Sequence, residues 1–378
     1  MTDRASMLRF ASSAMFAASL AGCGSAPPAA PPSLSEEALQ AVMPDAGAPR
    51  DQLAREIDEL FTQDELGETR AIVLMSDGEL AAERYSEGYD QDTRFVSWSM
   101  AKTVTAVLVG MLVADGKLTV GDPAPVPMWQ RPGDPRAEIT LRHLLQMRSG
   151  LRHTEAGDPP YDSSEVRMLF LDGRDDMARW AKEQPLEAEP GEQFEYSSNT
   201  TVILADIAAR ALTNSSDPET RRTVVDEFLK ERLFEPLGMD SMVLEYDASG
   251  TLIGGSLMHA TARDWAKFGE FLRRSGRSPE GEQLVPSRWI DAMITPSPAS
   301  GFYGYQTWLN RESGIDRDKD VADRGPETMF AAIGHMGQYV LISPDQRITL
   351  VRLGHSNRTE RFKMLAELFD IADLYPMR

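Results

Sequence analysis

The stretch Phe95-Val96-Ser97-Trp98-Ser99-Met100-Ala101-Lys102 places a serine three residues before a lysine, at the start of a markedly apolar segment. That segment, Thr103–Val113, predicts one buried helix that ends at Gly116. Residues three apart share a helical face, so we expect the Lys102 side chain to reach the Ser99 hydroxyl. A serine becomes a good nucleophile when a base takes its proton, and lysine serves as that base where desolvation lowers its pKa. The pattern therefore predicts a nucleophile, Ser99, with its base, Lys102.

The same spacing is also typical of a helix-capping serine followed by a solvated lysine, and it arises by chance in a chain of this composition. Two features favour the catalytic interpretation. Lys102 is the only lysine of the chain with a serine three residues before it, and a lone charge in apolar surroundings is costly. The choice between the two interpretations rests on partners elsewhere in the chain.

The first 22 residues are predicted to be a targeting segment, because the positively charged Arg4 and Arg9 precede the short apolar run Phe10–Leu20. Leu20-Ala21-Gly22-Cys23 resembles a bacterial lipobox, which implies that Cys23 is lipidated and becomes the mature N-terminus. An ordinary secretory peptide with an incidental cysteine is the alternative. Cys23 is the only cysteine, so no disulfide forms within a monomer. We expect an exported protein of the bacterial cell envelope, anchored by lipid on the periplasmic side of a membrane.

Residues 23–50 are rich in Pro, Ala and Ser and are expected to form an extended tether, followed by a hydrolase domain over 51–378. The net charge of −20, with no basic stripe, argues against a nucleic-acid partner and against binding of an anionic membrane surface by the folded domain. The membrane is therefore expected as a partner only through the lipid at Cys23. The oligomeric state is left open.

Apolar patterns at the two ends of the domain predict strands and helices. Leu53, Ile57 and Leu60 recur at helical spacing, which predicts a helix over 51–64. Two apolar runs around Ser76-Asp77-Gly78 predict a β-hairpin. Three C-terminal strands and a final helix are predicted at Thr328–Ile333, Gln338–Ser343, Ile348–Leu353 and Arg361–Leu374.

These elements predict an α/β (α+β) fold with one antiparallel sheet assembled from both ends of the domain. The sheet region is expected over about 51–122 and 245–378, flanked by the N- and C-terminal helices. The helical patterns of residues 123–244 predict an inserted all-helical region between the two halves.

Two further motifs provide candidate partners for Ser99. Tyr196 follows a Pro-Gly turn and stands just before a predicted helix, where neighbouring cations would favour its phenolate. The alternative is a tyrosine packed at a helix start, with Ser197 or Ser198 as the cap. His335-Met336-Gly337 lies between two predicted strands, and a strand edge there would supply an N–H to an oxyanion beside the Ser99 N–H. The alternative is a histidine at a strand bend with an ordinary surface hydrogen bond.

In this order, Ser99-Met100-Ala101-Lys102, Tyr196-Ser197-Ser198 and His335-Met336-Gly337 resemble the motifs of the serine β-lactamase and penicillin-recognising superfamily. They are similar to its class C-like branch of β-lactamases, D,D-peptidases, esterases and 6-aminohexanoate-oligomer hydrolases. The resemblance implies a β-lactamase/transpeptidase-like fold and a mechanism with no cofactor or metal. It also implies that Ser99 accepts the acyl group, that Lys102 is its base or proton relay, and that Tyr196 activates Ser99 or protonates the leaving group.

The resemblance implies further site residues. The N–H groups of Ser99 and Gln338 would form the oxyanion hole, while His335, Gly337 and Trp98 would contact the substrate. Tyr161, in the loop 157–163, is expected to border the substrate site and to move on binding, as a loop tyrosine does in the 6-aminohexanoate branch. A solvated surface loop is the alternative for Tyr161.

Two departures from the class C pattern bear on the substrate. Ser198 stands where a Tyr-x-Asn motif has asparagine, with Asn199 one residue late, and His335 stands where a lysine is expected. A mostly neutral imidazole would hold the carboxylate of a β-lactam or peptide terminus less well than a lysine. We therefore expect hydrolysis of a small ester or amide. A β-lactamase or D,D-peptidase is the first alternative, and a non-catalytic envelope binding protein of the same fold is the second.

Other enzyme classes lack their motifs in this chain. A G-x-S-x-G elbow is absent, which argues against an α/β-hydrolase. An H-E-x-x-H motif and a Cys/His cluster are also absent, so the sequence supports no metal site.

Overall fold

The computed structural model describes residues 34–311 and 324–378 of the 378-residue chain. The expected signal peptide, residues 1–22, and the expected lipidation site, Cys23, lie outside the described residues. Within those two ranges, no helix combines the length and the apolar character that crossing a membrane requires.

The described strands form two antiparallel sheets. They are β1 Glu68–Ser76, β2 Glu79–Tyr85, β3 Phe95–Val96, β4 Val243–Leu244, β5 Met258–Ala260, β6 Trp308–Leu309, β7 Phe330–Gly334, β8 Gln338–Ser343 and β9 Ile348–His355. The larger sheet has the order β2-β1-β9-β8-β7-β6, so the N-terminal hairpin pairs with the last strand of the chain. The predicted antiparallel sheet assembled from both ends is confirmed. The smaller sheet, β3-β5-β4, was not predicted, because strands of two or three residues carry no readable alternation.

Helices cover both faces of the larger sheet and fill the middle of the chain. They are α1 Glu36–Gln40, α2 Arg50–Thr62, α3 Ala101–Ala114, α4 Leu141–Leu145, α5 Ser164–Phe170, α6 Met177–Lys182, α7 Ser198–Leu212, α8 Pro218–Leu229, α9 Glu235–Leu237, α10 Ala262–Arg273, α11 Ser287–Met293 and α12 Arg358–Asp373. Helices α4 to α9 lie within the predicted helical region. Helix α3 is the predicted apolar helix, and it packs against α7.

Side chains of the larger sheet alternate between two hydrophobic cores. On β1, Ile72 and Leu74 pack in the core that the terminal helices α2 and α12 cover. Ala71 and Val73 face the other core, which contains α3 and α10. A side chain of this size contributes about 1.5–3 kcal/mol when it is fully buried. At β1, both faces of the sheet are therefore covered by apolar packing.

The folded domain begins earlier than residue 51, which corrects the predicted tether over 23–50 for residues 34–50; residues 23–33 lie outside the described residues. Residues from Leu34 onward pack on the domain, with Ala38 and Val42 buried. Ser35 caps α1 by accepting a hydrogen bond from the N–H of Ala38. The Pro- and Ala-rich composition hid an apolar repeat every four residues, Leu34, Ala38, Val42 and Ala46, that is typical of a packed segment.

Candidate active site

Ser99 lies in a tight turn, Trp98–Met100, that leads directly into α3. Trp98 has a φ of 45°, a left-handed conformation that costs a non-glycine residue about 1–3 kcal/mol. A strained residue persists only where the surrounding structure holds it in place, and such residues are concentrated at functional sites. The Ser99 hydroxyl lies 2.9 Å from Lys102 Nζ. The predicted contact between the two side chains is confirmed.

Lys102 is 1% exposed, and its amino group has three hydrogen-bonding partners. Nζ lies 2.9 Å from Ser99 Oγ, 2.7 Å from Ser198 Oγ and 2.8 Å from the carbonyl oxygen of Gly255. Burial lowers the pKa of Lys102, against the opposing effect of Glu155 and Glu165, and a lower pKa is what a lysine base requires. The alternative of a solvated lysine is therefore wrong.

Lys102 Nζ lies over the ring of Tyr196, 4.8 Å from the ring centroid, so the aromatic ring borders the amine. Tyr303 and Trp308 also pack against Tyr196, with ring centroids 5.8 Å and 5.1 Å away. The cap of α7 is Ser197, whose hydroxyl accepts from the N–H of Asn199. The structure therefore shows the capping serine of the alternative and a tyrosine ring beside the amine, while the predicted proton-transfer role of Tyr196 stays a prediction.

Ser198, the third residue of the motif where a Tyr-x-Asn motif has asparagine, lies next to Lys102. Asn199 turns away from Lys102, and its side-chain amide bonds the carbonyl oxygen of Ser164 instead. The contact to Lys102 at the start of α7 thus comes from a hydroxyl at the third position of the motif.

Two carboxyl groups that the sequence analysis did not identify complete the surroundings of Lys102. Glu155 Oε1 lies 2.7 Å from Ser198 Oγ and 3.7 Å from Lys102 Nζ. Glu165, in the first turn of α5, places Oε1 3.0 Å from Ser198 Oγ. Burial, followed by the charge of Glu155, raises the pKa of Glu165 to about 7. These glutamates are 43 and 33 residues away from Ser198 in the sequence, and no local spacing reports such a contact.

The end of β7 meets the serine turn directly. A β-carbon on Gly334 would overlap the carbonyl oxygen of Ser97, so only glycine fits there. The next residue, His335, packs its ring edge-on against Trp98, with centroids 5.4 Å apart. Burial, followed by the charge of Arg361, lowers the pKa of His335, which favours the neutral imidazole that the sequence analysis expected.

The turn from β7 to β8 contains two residues in the left-handed region, Met336 at φ 58° and Gly337 at φ 83°. Arg352 is fully buried on β9 and donates to the carbonyl oxygen of Gly337 at 2.8 Å. The Gln338 side chain bonds the backbone of Gly354 on β9. Buried hydrogen bonds from the neighbouring strand therefore hold this turn beside Ser99.

Tyr161 is 61% exposed, in a short helical turn at Pro160–Asp162. Its loop starts after Glu155 and ends before Glu165, and both of those residues bond Ser198. The loop is therefore anchored to the site at both ends, while the Tyr161 side chain is open to solvent. The prediction that Tyr161 borders the substrate stays a prediction.

Comparison with known proteins gives one consistent result. The sequence profile described as Beta-lactamase matches residues 63–372. A 6-aminohexanoate-dimer hydrolase of Paenarthrobacter ureafaciens is 24% identical over 332 residues, which is 80% of this chain and 76% of that protein. A Bacillus anthracis structure with the provisional name of 6-aminohexanoate-dimer hydrolase superposes with a TM-score of 0.66 at 22% identity, over 84% of this chain and 81% of that one. A family VIII carboxylesterase superposes with a TM-score of 0.64 at 15% identity, over 87% and 98%.

Proposed function

The chain belongs to the β-lactamase family of serine hydrolases, and from this we propose that it cleaves an ester or amide bond through an acyl-enzyme on Ser99. The observation that carries the proposal is the buried amine of Lys102 at 2.9 Å from the Ser99 hydroxyl. A desolvated lysine in that position is a base for the nucleophile. Ser198 Oγ and the carbonyl oxygen of Gly255 accept hydrogen bonds from the amine, and these bonds orient the amine toward Ser99.

The proposed acylation step moves one proton and exchanges one bond. Ser99 Oγ attacks the carbonyl carbon while Lys102 Nζ takes the hydroxyl proton, which produces an oxyanion on the tetrahedral carbon. The carbon–oxygen or carbon–nitrogen bond to the leaving group then breaks, and the proton passes to that group from Lys102 or through Tyr196. Water repeats the sequence on the acyl-enzyme and regenerates Ser99.

The oxyanion needs two donors aimed at one point. The Ser99 N–H is one of them in this proposal. Gln338 was the predicted second donor, and the close approach of Gly334 to Ser97 favours the neighbouring N–H of His335 as another candidate for that role. The buried support from Arg352 would keep either donor in place.

The substrate class we propose is a small ester or linear amide. The amide hydrolase among the relatives and the esterase of the same fold support this choice. The departures at Ser198 and His335 from the class C pattern also support it. At position 335, a mostly neutral imidazole offers a β-lactam carboxylate no permanent positive charge, which a lysine would.

The test is a panel on one purified sample, with p-nitrophenyl esters, linear 6-aminohexanoate amides and nitrocefin. We expect kcat/KM for the best ester or amide to exceed that for nitrocefin by at least about 100-fold. Comparable or faster nitrocefin cleavage would support the β-lactamase alternative instead. Turnover of none of the substrates, with stoichiometric binding of a β-lactam, would support the binding-protein alternative.

We also propose that Cys23 carries the lipid anchor, which the sequence Leu20-Ala21-Gly22-Cys23 supports. Expression in a bacterial host with a labelled fatty acid tests it. We expect label in the full-length protein and none in Cys23→Ser, with the variant released from the membrane fraction. A labelled Cys23→Ser protein would contradict the proposal.

A further inference from the structure

The Ser198 hydroxyl lies against two carboxyl groups and one amine, with the Ser256 hydroxyl more distant at 3.5 Å, the longest of its contacts. Glu155 Oε1 is 2.7 Å away, Glu165 Oε1 is 3.0 Å away, and Lys102 Nζ is 2.7 Å away. A hydroxyl has one proton to donate and two lone pairs to receive. Since Lys102 donates to one lone pair, a single carboxyl oxygen can accept the hydroxyl proton. The other carboxyl oxygen faces a lone pair and forms a hydrogen bond only if it carries a proton itself.

The surroundings show which carboxyl group is the acceptor. Glu155 binds Ser198 with both oxygens, since Oε1 receives the hydroxyl and Oε2 lies 2.7 Å from the backbone N–H. Two donors on one group are the pattern that favours an ionised carboxylate. Glu165 approaches the same hydroxyl with Oε1, which is left with the lone pair.

We propose that Glu165 is held as a neutral carboxylic acid that donates to Ser198, while Glu155 is the carboxylate that accepts the Ser198 proton. The two glutamates therefore have different roles at one hydroxyl. This is the usual result when two acids in different surroundings share a site, because two adjacent negative charges repel each other.

The titratable groups around the pair agree with this assignment. Burial and the Glu155 charge raise the pKa of Glu165 to about 7, while the charge of Lys102 and a hydrogen bond with Ser256 act in the opposite direction. The charge of Glu155 also acts to raise the pKa values of Glu195, Tyr303 and His335.

The consequence for catalysis rests on the proposed function of Lys102 as the base. A neutral Glu165 leaves Lys102 beside one carboxylate instead of two, and a second negative charge would raise the pKa of the amine. Glu165 is therefore a positioning residue that keeps Lys102 able to accept the Ser99 proton. Glu155, with Oε1 at 3.7 Å from Nζ, stabilises the ammonium group that forms on acylation.

Infrared difference spectroscopy tests the proton assignment without any measurement of activity. The spectrum of the wild-type protein minus that of Glu165→Gln should contain the C=O band of a protonated carboxylic acid at about pH 5.5. At about pH 8.5 the same difference should contain only carboxylate bands. Carboxylate bands alone at the lower pH would overturn the proposal.

Kinetics test the division of roles. Glu165→Gln keeps a neutral donor of the same shape, so kcat/KM below pH 7 should fall by less than about threefold. Glu155→Gln removes the charge that stabilises the ammonium group and should lose at least about 100-fold. Asp172→Asn, which removes an exposed acid just beyond α5 that pairs with Arg167, is the matched control.

The pH profile distinguishes this role from a merely structural one. In the wild-type protein, kcat/KM should fall as the pH rises through about 7, because ionised Glu165 raises the pKa of Lys102. That fall should be absent in Glu165→Gln. A Glu165→Gln protein that is as impaired as Glu155→Gln at every pH would overturn the proposal. If the protein hydrolyses nothing, the proposed function fails while the infrared result still decides the protonation of Glu165.

Discussion

Gly334, at the end of β7, approaches the carbonyl oxygen of Ser97 so closely that no β-carbon fits between them, two residues before the proposed nucleophile. This close approach joins the sheet to the turn that contains Ser99, where the proposed mechanism places the oxyanion. We expect Gly334→Ala to push β7 and the turn apart and to lower kcat by about 10- to 100-fold, since a misplacement of about 1 Å costs that much. Gly121→Ala is the control, because a β-carbon there meets no atom within 4 Å. Equal activity of the two variants would contradict the role of this contact.

The two residues of the serine–lysine pair should be equally indispensable. We expect Ser99→Ala and Lys102→Ala each to lose at least about 10³-fold in kcat/KM, because the hydroxyl and the amine act on one proton. The double variant should be little worse than either single variant, since members of one catalytic unit are not additive. Circular dichroism checks that the variants are folded. Hydrolysis by Ser99→Ala near the wild-type rate would refute the proposed mechanism.

A lysine at position 335 should shift the preference toward substrates with a carboxylate. Burial and the charge of Arg361 lower the pKa of His335 and favour its neutral form, so His335→Lys adds a positive charge beside Trp98. We expect kcat/KM for nitrocefin to rise about tenfold relative to a neutral ester, which is the value of one charge-assisted hydrogen bond. His335→Gln serves as the neutral control. An unchanged ratio of the two substrates in His335→Lys would show that position 335 does not select the substrate.

Variants of Tyr161 test whether the loop between Glu155 and Glu165 contacts the substrate. We expect Tyr161→Ala to raise KM for an amide substrate by about threefold to tenfold, with a smaller change for Tyr161→Phe, because an exposed ring adds contact area on closure. The control is Phe170→Ala, which removes an exposed aromatic ring at the end of α5. If kcat and KM of both Tyr161 variants equal those of the wild-type protein, Tyr161 lies outside the site.

Asp206 is predicted to limit stability in acid. It is 4% exposed and pairs with Lys182 and Arg221, both buried, and with the half-exposed Arg210. Burial acts to raise the pKa of Asp206, but Lys182 and Arg210 outweigh it and the pKa is lowered. A lowered pKa means that this stability is present above the ordinary aspartate pKa and is lost as the pH falls through the folded-state value.

Urea unfolding at neutral pH measures this contribution. Asp206→Asn should cost about 3–5 kcal/mol, because two buried cations lose their partner. Asp175→Asn, at an exposed surface pair, should change the free energy of unfolding by less than about 1 kcal/mol. A similar stability of the two variants would contradict the prediction.

Local sequence patterns were sufficient for the elements that local patterns determine. The Ser99–Lys102 contact follows from a spacing of three on a helix, and the hairpin at Asp77-Gly78 follows from its turn residues, which have φ values of 52° and 95°. The resemblance to a family added Tyr196, and the structure places its ring beside the amine of Lys102. Together these features were enough to predict the hairpin and the proximity of Ser99, Lys102 and Tyr196.

Contacts between distant parts of the chain were not predictable in this way. Glu155 and Glu165 reach Ser198 only because a loop folds back over the start of α7, and a single glutamate in a loop has no periodic pattern. The segment from Leu34 onward was assigned to a tether by its average composition, although its apolar residues recur every four positions. The contacts of the two glutamates are decided by tertiary packing, whereas the packed segment had a local pattern that its average composition obscured.

The early start of the fold matters for the outermost strand of the larger sheet. β2 is at one end of that sheet, and residues 41–43 run along its outer side, where Met43 N–H donates to Ala81 at 2.9 Å and Glu83 N–H donates to Ala41 at 2.8 Å. Unpaired backbone groups on a terminal strand are a template for another molecule to add a strand of its own. Residues 41–43 therefore occupy the backbone groups through which β2 could pair with a second molecule. We expect a protein trimmed to residue 51 to expose this edge and to aggregate more readily.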